Sequence, residues 1–272
     1  MNTLEQINAN RKKQVSEQKK LYPVPLLEKS IYFPSKTISL EKYIRKYDKS
    51  GIIAEIKRKS PSQGVINKYM DVEKTSIGYM QAGASAISVL TDYTFFGGSN
   101  EDLSVARKFN YCPILRKDFI VDEYQIIEAK SIGADAILLI AASLTKAKIK
   151  TFTDLAKSLG LEIIAEVHSR NEIDKIPDVA TIIGVNNRNL KSQQIDINTS
   201  FQLLNHLPKE KTKISESGID KAEAIIELKK IGYSGFLIGS YFMRHPEPST
   251  VCKAFIASLE QLNLKKIKCD EN

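Results

Sequence analysis

Eight short apolar runs, each followed by a segment with helical periodicity, constrain the fold of this chain more than any other feature. From Ile52 onward the runs recur at intervals of roughly 19 to 34 residues. Near-continuous apolar strands that alternate with helices are typical of a parallel sheet covered on both faces. Eight such units predict an α/β protein with a closed (β/α)8 TIM barrel, and an open doubly wound sheet is the alternative. The predicted strands are Ile52–Ile56, Ala86–Leu90, Pro113–Leu115, Ala134–Ile140, Glu162–Val167, Thr181–Val185, Lys213–Ser215 and Phe236–Ile238.

Residues 1–50 have a different pattern from the barrel segments. Leu4, Ile7 and Val15 are set among many polar residues, and Pro23 and Pro25 follow. This pattern predicts an amphipathic helix and then a connector broken by proline. We therefore expect residues 1–272 to form a single barrel domain in which residues 1–50 are an N-terminal helical extension.

Composition and charge exclude several classes of protein. Hydrophobic residues make up 42% of the 272 residues, which is enough for a large core, and no apolar stretch approaches the roughly 18 residues of a membrane span. The formal charge of +8 comes mostly from dispersed lysines and not from a basic block interleaved with aromatic residues. We expect a cytoplasmic protein that binds neither nucleic acid nor membrane, with some of its cations attracting an anionic metabolite.

Cysteines and histidines give no sign of a metal or a disulfide framework. The three cysteines are far apart and odd in number, so reduced, structural thiols are expected. The three histidines have no metal-ligand spacing, and we expect ordinary surface or loop residues. These residues are Cys112, Cys252, Cys269, His168, His206 and His245.

Polar side chains at or just beyond the ends of five predicted strands point to a functional pocket. Side chains alternate along a strand, so Glu55 and Lys57 share one face while Ile52, Ala54 and Ile56 take the other. Burying unpaired charges is costly, and the carboxyl ends of barrel strands are where such enzymes carry their catalytic groups. The residues concerned are Glu55, Lys57, Lys117, Glu166, Asn186 and Glu216.

Small residues follow the seventh and eighth predicted strands. Ser217 and Gly218 follow the seventh, and Gly239 and Ser240 follow the eighth. The loops at these two places often form the phosphate site of a barrel, because backbone N–H groups converge there. The sequence therefore predicts a phosphorylated substrate.

Seven segments together resemble the indole-3-glycerol phosphate synthase family, in the family's order over about residues 50–245. The resemblance implies a (β/α)8 barrel that closes the ring of 1-(2-carboxyphenylamino)-1-deoxyribulose 5-phosphate with loss of CO₂ and water, in tryptophan biosynthesis, without cofactor or metal. Lys59 and residues 191–195 differ from the commonest family residues, and we expect them to be peripheral. The segments are IIAEIKRKSPS (52–62), TDYTFFGGSNEDL (91–103), PILRKDFIVDEYQI (113–126), AEVH (165–168), IIGVNNRNL (182–190), SESGI (215–219) and FLIGSYFMR (236–244).

The resemblance also implies catalytic roles. Lys117 matches the general acid that protonates the ribulose carbonyl, and Glu166 matches the base, which we expect across the substrate from the acid. Lys57 contacts the substrate and helps in dehydration, and its charge is expected to lower the pKa of Lys117. Glu55 matches a carboxylate that stabilises positive charge on the substrate nitrogen. Two further residues are expected to orient these groups and the substrate hydroxyls, namely Asn186 and Glu216.

Other matching positions are expected to bind the two ends of the substrate. Arg188 lies near the phosphate in the family, and Ser60 lies on a mobile loop after the first strand. The apolar slot for the anthranilate ring is expected to consist of Phe96, Phe119, Leu138 and Leu190. We expect a monomer, with transient contacts to other tryptophan-pathway enzymes.

Three alternative functions remain open from sequence. Phosphoribosylanthranilate isomerase shares the phosphate loops but uses a Cys and Asp pair, whereas this chain has Glu55 and Lys57 in the first strand. A Schiff-base aldolase could use Lys117. A nucleic-acid binder driven by positive charge would lose affinity steeply with salt.

Overall fold

Eight parallel strands close into a barrel. The computed structural model describes residues 2–190 and 192–270, with side chains described as far as Leu264. The first strand pairs with both the second and the eighth, at Ile53↔Ala86 and Ala54↔Ile238, so the sheet has no edge and the open-sheet alternative is wrong. The strands are β1 (Ile52–Ile56), β2 (Ala86–Leu90), β3 (Ile114–Lys117), β4 (Ala136–Ile140), β5 (Glu162–Val167), β6 (Ile182–Asn186), β7 (Thr212–Glu216) and β8 (Gly235–Ile238).

Several strands extend further into polar sequence than the apolar runs predict. β3 continues to Lys117, which pairs with Leu90, and β6 and β7 end at the paired residues Asn186 and Glu216. The backbone ladder does not depend on side-chain polarity, so it continues where an apolar run stops. In contrast, β4 begins later than predicted, because the N–H of Ala134 bonds to Ala129 of the preceding helix.

Helices follow the strands and cover the outside of the barrel. Several of their N-termini are capped by short polar side chains, as at Ser99, whose hydroxyl accepts from the N–H of Asp102. A two-residue antiparallel pair, Lys59–Ser60 with Gly64–Val65, interrupts the loop after β1. The helices are α1 (Thr3–Leu21), α2 (Val24–Leu27), α3 (Leu40–Arg45), α4 (Val72–Gln81), α5 (Tyr93–Phe96), α6 (Asn100–Phe109), α7 (Tyr124–Ser131), α8 (Lys146–Ser158), α9 (Arg170–Ile173), α10 (Asn198–Leu204), α11 (Ala222–Lys230), α12 (Ser240–Met243) and α13 (Pro248–Asp270).

The barrel interior is built in layers contributed by alternate strands. One layer consists of Ile53, Leu115, Ile164 and Ile214, from β1, β3, β5 and β7, and all four are fully buried. Side chains two residues further along a strand point to the same face. The next layer from these strands therefore consists of Glu55, Lys117, Glu166 and Glu216.

The N-terminal extension contacts both ends of the barrel. α1 begins with a capping box between Asn2 and Glu5 and packs near the carboxyl ends of the strands, whereas α3 places Leu40 and Ile44 in the interior cluster at the amino ends. Glu162, the first residue of β5, accepts bonds from the Ser39 hydroxyl and the Glu41 N–H. The predicted N-terminal helix is present as α1, and Pro23 separates it from α2, the short helix that contains Pro25.

Two findings bear on the expectations from composition. Within the described residues, no helix combines the length and the apolar character needed to cross a membrane. Cys112 and Cys252 are buried free thiols, and burial raises the pKa of each to about 12, as expected of structural cysteines. The side chain of Cys269 lies outside the described part.

Candidate active site

A cavity of about 270 Å³ opens at the carboxyl ends of the barrel strands. It brings together all of the residues proposed from sequence for catalysis and substrate binding, although their roles stay predictions. The lining includes Glu55, Lys57, Ser60, Phe96, Lys117, Phe119, Leu138, Glu166, Asn186, Arg188, Leu190, Glu216, Ser217, Gly218, Gly239 and Ser240.

The floor of the cavity is the charged layer from β1, β3, β5 and β7. The Lys117 ammonium lies 2.9 Å from Glu166 Oε2 and 2.8 Å from Glu216 Oε2, and donates a hydrogen bond to each. The Lys117 side chain is 13% exposed, and the two carboxylates are almost fully buried. Barrel closure thus places one cation between two carboxyl groups at the base of the cavity.

The expectation that Lys57 lowers the pKa of Lys117 is wrong. Lys57 Nζ lies 2.6 Å from Glu55 Oε1, so the charge of Lys57 is paired with a carboxylate two residues earlier in the chain. Burial acts to lower the pKa of Lys117, but the carboxylates of Glu166, Glu216 and Glu55 outweigh it and hold that pKa above its ordinary value. Lys117 is therefore a protonated ammonium at neutral pH.

The pKa values of the two carboxyl groups that flank Lys117 are shifted in opposite directions. Burial and the charge of Glu166 raise the pKa of Glu216 to about 7, against the effect of Lys117. Burial also acts on Glu166, but Lys117 and His168 lower its pKa. Glu216 Oε1 is buried and has no hydrogen-bond partner within the described residues. The expected base, Glu166, contacts the expected acid directly in this structure, and the placement of the two on either side of the substrate stays a prediction.

Two glycines have no side chain where the carboxyl groups of Glu216 and Glu55 lie. A Cβ at Gly184 on β6 would lie 2.2 Å from Glu216 Oε1, and a Cβ at Gly239 would lie 2.1 Å from Glu55 Oε1. Both distances are far below van der Waals contact. Gly239 was predicted for phosphate binding, and the structure gives it a second role beside Glu55.

One end of the cavity is apolar. The rings of Phe96 and Phe119 are stacked with centroids 5.8 Å apart, near Leu138 and Leu190. The N-terminal helix completes this part of the lining, a contribution that the sequence left undetermined. Its lining residues are Thr3, Leu4 and Ile7.

The opposite end has loop backbone suited to anions. Ser217 and Gly218 have positive φ values of 68° and 80°, and these small, incompletely buried residues line the cavity with backbone N–H groups. Arg188 Nη1 donates to Ser62 Oγ at 3.0 Å and to the Gln193 carbonyl at 3.2 Å. The guanidinium therefore ties the loop after β6 to the loop after β1.

The segment expected to be peripheral is part of the cavity. Gln193 and Ile195 line it, because Ile195 forms a bridge with Arg188 and packs over Gly218. The expectation is therefore wrong for these two residues, while Lys191 lies outside the described part. Lys59 does fit the expectation, since its ammonium binds the Thr94 carbonyl at 2.7 Å on the exposed surface.

Two further features were missed from sequence. His168 is not an ordinary surface residue: its side chain is 10% exposed and lies between Glu166 and Glu172. Arg11 of α1 forms a buried ion pair with Asp118, next to Lys117. A signal for Arg11 existed, because it shares a four-residue spacing, and hence a helix face, with Ile7 and Val15.

The described residues include no cluster of three or more His, Cys, Asp or Glu side chains arranged to hold a metal ion. The cavity itself offers the Lys117 ammonium and the carboxyl groups of Glu166 and Glu216. A fixed proton donor beside two carboxylates, between an apolar end and an anion-binding end, suits acid–base work on a phosphorylated aromatic molecule.

Comparisons with known proteins agree with that chemistry. A family model described as indole-3-glycerol phosphate synthase matches residues 4–255. The chain is similar to the indole-3-glycerol phosphate synthase of Bacteroides thetaiotaomicron, with 42% identity over 94% of this chain and 98% of that protein. It is similar to the synthase of Caldanaerobacter subterraneus, with 41% identity over 90% and 94%. A mutant tryptophan synthase alpha-subunit from Pyrococcus furiosus shares the fold, with a TM-score of 0.61, 16% identity, and coverage of 79% of this chain and 100% of that one.

Proposed function

This chain belongs to the indole-3-glycerol phosphate synthase family, and from that premise we propose which of its side chains perform the reaction. The enzyme is a carboxy-lyase of tryptophan biosynthesis. It converts 1-(2-carboxyphenylamino)-1-deoxyribulose 5-phosphate to indole-3-glycerol phosphate by ring closure, decarboxylation and dehydration. The observation that carries the proposed assignment is the Lys117 ammonium, held between Glu166 and Glu216 in the cavity floor.

Lys117 is the general acid of ring closure. As the aromatic carbon attacks the ribulose carbonyl, negative charge develops on the carbonyl oxygen, and a proton must be delivered there. The surrounding carboxylates keep the pKa of Lys117 above its ordinary value, so the proton is in place at neutral pH. The carbonyl oxygen becomes more basic as negative charge develops on it, so the transfer becomes more favourable as the carbon–carbon bond forms.

Glu166 is the base of the later steps. Loss of CO₂ restores the aromatic ring, and loss of the new hydroxyl as water, together with a proton, completes the indole. Glu166 is ionised, because Lys117 and His168 outweigh burial and lower its pKa, so it is able to accept that proton. Glu55 is buried and pairs with Lys57, and its carboxylate stabilises positive charge on the substrate nitrogen.

Substrate binding uses the two unlike ends of the cavity. The stacked Phe96 and Phe119 form the slot for the anthranilate ring, together with Leu138 and Leu190. The left-handed Ser217 and Gly218 present N–H groups to the phosphate, with Gly239 and Ser240 at the start of α12. Holding both ends brings the reacting carbons together, an effect worth several kcal/mol.

Three further assignments complete the proposal. Asn186 and Glu216 orient the substrate hydroxyls, and Ser60 closes the loop after β1 over the bound substrate. The protein acts as a single-domain monomer in the cytoplasm, with transient contacts to other enzymes of the pathway. The small residues after β7 and β8, with Arg188 in the same lining, fit a small anionic substrate without a nucleic-acid partner.

The proposal is tested by adding the carboxyphenylamino-deoxyribulose phosphate to purified protein and following indole fluorescence. The chain has no tryptophan, so the background is low. Lys117→Met is expected to lower kcat by about 10²-fold or more with little change in substrate binding. Lys150→Met, at an exposed lysine paired with Asp154, is the control and should keep wild-type rates.

Two outcomes would contradict the proposal. Normal turnover in a folded Lys117→Met variant would remove the acid assignment. Covalent trapping of substrate on Lys117 by borohydride would indicate Schiff-base chemistry, which a protonated ammonium between two carboxylates does not favour.

A further inference from the structure

His168 lies just beyond the end of β5, two residues after Glu166. Its Nε2 atom is 3.2 Å from Glu166 Oε1, and it is buried with no hydrogen-bond partner within the described residues. The carboxylate of Glu166 is therefore the charge that this nitrogen faces. His168 is absent from the described lining of the cavity, so it contacts the proposed base from outside that lining.

The imidazole is held from its other side by Glu172 of α9. His168 Nδ1 lies 3.3 Å from Glu172 Oε2, which also accepts the backbone N–H of His168 at 2.8 Å. The hydroxyl of Ser169 donates to the second oxygen of Glu172 at 3.1 Å. With backbone and side chain both tied to one carboxylate, the ring has a fixed orientation.

The charges around His168 favour its imidazolium form. Burial acts to lower the pKa of His168, but Glu166 and Glu172 together raise it to about 9. Glu166 and Glu172 are the charged groups that the described contacts place against the ring, and Lys117 faces Glu166 from the opposite side. The result is a row of alternating charges, Glu172, His168, Glu166 and Lys117.

The two oxygens of Glu166 thus have separate partners: Oε2 binds Lys117 and Oε1 faces His168. When Lys117 gives its proton to the substrate, the cation at Oε2 is lost. We propose that His168 is a positioning residue that keeps Glu166 oriented and ionised at that stage, when its other partner is neutral. This inference rests on the proposed role of Glu166 as the base.

His168→Gln tests the proposal, because it keeps a hydrogen-bonding side chain of similar reach and removes the charge. We expect kcat to fall about tenfold or more and KM to change less than about twofold, since His168 does not contact substrate. The acidic limb of the kcat profile should move to higher pH by at least about half a unit, because Glu166 loses a neighbouring cation. His206→Gln, at an exposed histidine, is the matched control and should keep the wild-type profile.

A second measurement does not depend on turnover. The imidazole NMR signal that disappears in His168→Gln should titrate near pH 9 in the wild type, and its midpoint should fall in Glu172→Gln and in Glu166→Gln. Midpoints that do not move in these variants would overturn the proposal even if His168→Gln failed to fold. The proposal would also be overturned if His168→Gln lowered kcat and raised KM by equal factors and left the acidic limb of the kcat profile in place. An inactive wild type with the expected titration would instead count against the proposed function.

Discussion

Arg11 of the N-terminal helix and Asp118, the residue that follows the proposed acid, form an ion pair almost fully removed from solvent. Their side chains are 3% and 0% exposed. Asp118 also accepts the Thr91 hydroxyl at 2.9 Å and lies 3.1 Å from Arg116. The extension is therefore fixed by a buried charge to the strand end that carries Lys117, while Ile7 of the same helix lines the cavity.

Arg11→Met is expected to destabilise the protein and weaken substrate binding. It leaves the buried Asp118 carboxylate with Arg116 as its remaining cationic partner. The cost should lie toward the lower end of the about 3–5 kcal/mol found when one partner of a buried pair is removed. Because α1 forms part of the apolar lining, KM should rise more than kcat falls. Urea unfolding and steady-state kinetics measure both effects.

Lys19→Met on the same helix is the matched control. Lys19 pairs with Asp122, but these side chains are 47% and 37% exposed, so the loss should be about 1 kcal/mol or less. Equal destabilisation by the two substitutions would mean that burial of the Arg11 pair contributes nothing, contrary to this prediction.

The sequence predicted the barrel because its signal is local and repeated. The strands are marked by apolar runs, so Ile52–Ile56, Ala86–Leu90 and Glu162–Val167 were predicted with the bounds that the structure has. The predicted positions of the strand ends were less accurate, because Lys117, Asn186 and Glu216 continue the backbone ladder although their side chains are polar. Local patterns therefore locate elements better than they locate their ends.

The electrostatics of the site could not be predicted in the same way. Whether Lys117 meets Lys57 or two carboxylates depends on barrel closure, which joins residues 49 and 99 positions apart in sequence. In the sequence, His168 is only a histidine that follows a strand. Its environment in the fold is set by Glu166 and Glu172, which lie on either side of the ring. A pattern along the chain does not contain contacts between distant strands.

Glu216→Gln should change how stability depends on pH. With its pKa raised to about 7 from an ordinary 4.5, folded Glu216 keeps a proton that the unfolded chain releases. This group therefore lowers the stability of the wild type as pH rises from 4.5 through 7, by at most about 3 kcal/mol. Glutamine does not titrate, so the variant should gain stability relative to wild type on going from about pH 5 to about pH 8. Urea unfolding measures the free energy of unfolding of both proteins at the two pH values. The same difference between variant and wild type at both pH values would contradict the raised pKa of Glu216.

Inorganic phosphate is expected to compete with the substrate. The backbone N–H groups of Ser217 and Gly218 should bind a free phosphate dianion, as we propose that they bind the phosphate of the substrate. Phosphate should raise the apparent KM and leave kcat unchanged, whereas chloride at matched ionic strength controls for screening. Inhibition that lowered kcat alone, or no inhibition beyond that of chloride, would count against a phosphate site in these loops.

Gly184→Ala should impair catalysis more than stability explains. Its Cβ would lie 2.2 Å from Glu216 Oε1 and 2.9 Å from Ile164 Cγ2, so Glu216 must move, and with it the Lys117 ammonium that it binds. A displacement of about 1 Å can cost about 10²-fold in rate, so we expect kcat to fall at least about tenfold. Gly235→Ala is the control, since its Cβ would meet Ile214 at 2.8 Å, deeper in the barrel. That variant should lose about 1–3 kcal/mol of stability yet keep kcat. If the two alanine variants lost kcat equally, strain in the barrel and not the position of Glu216 would be the cause.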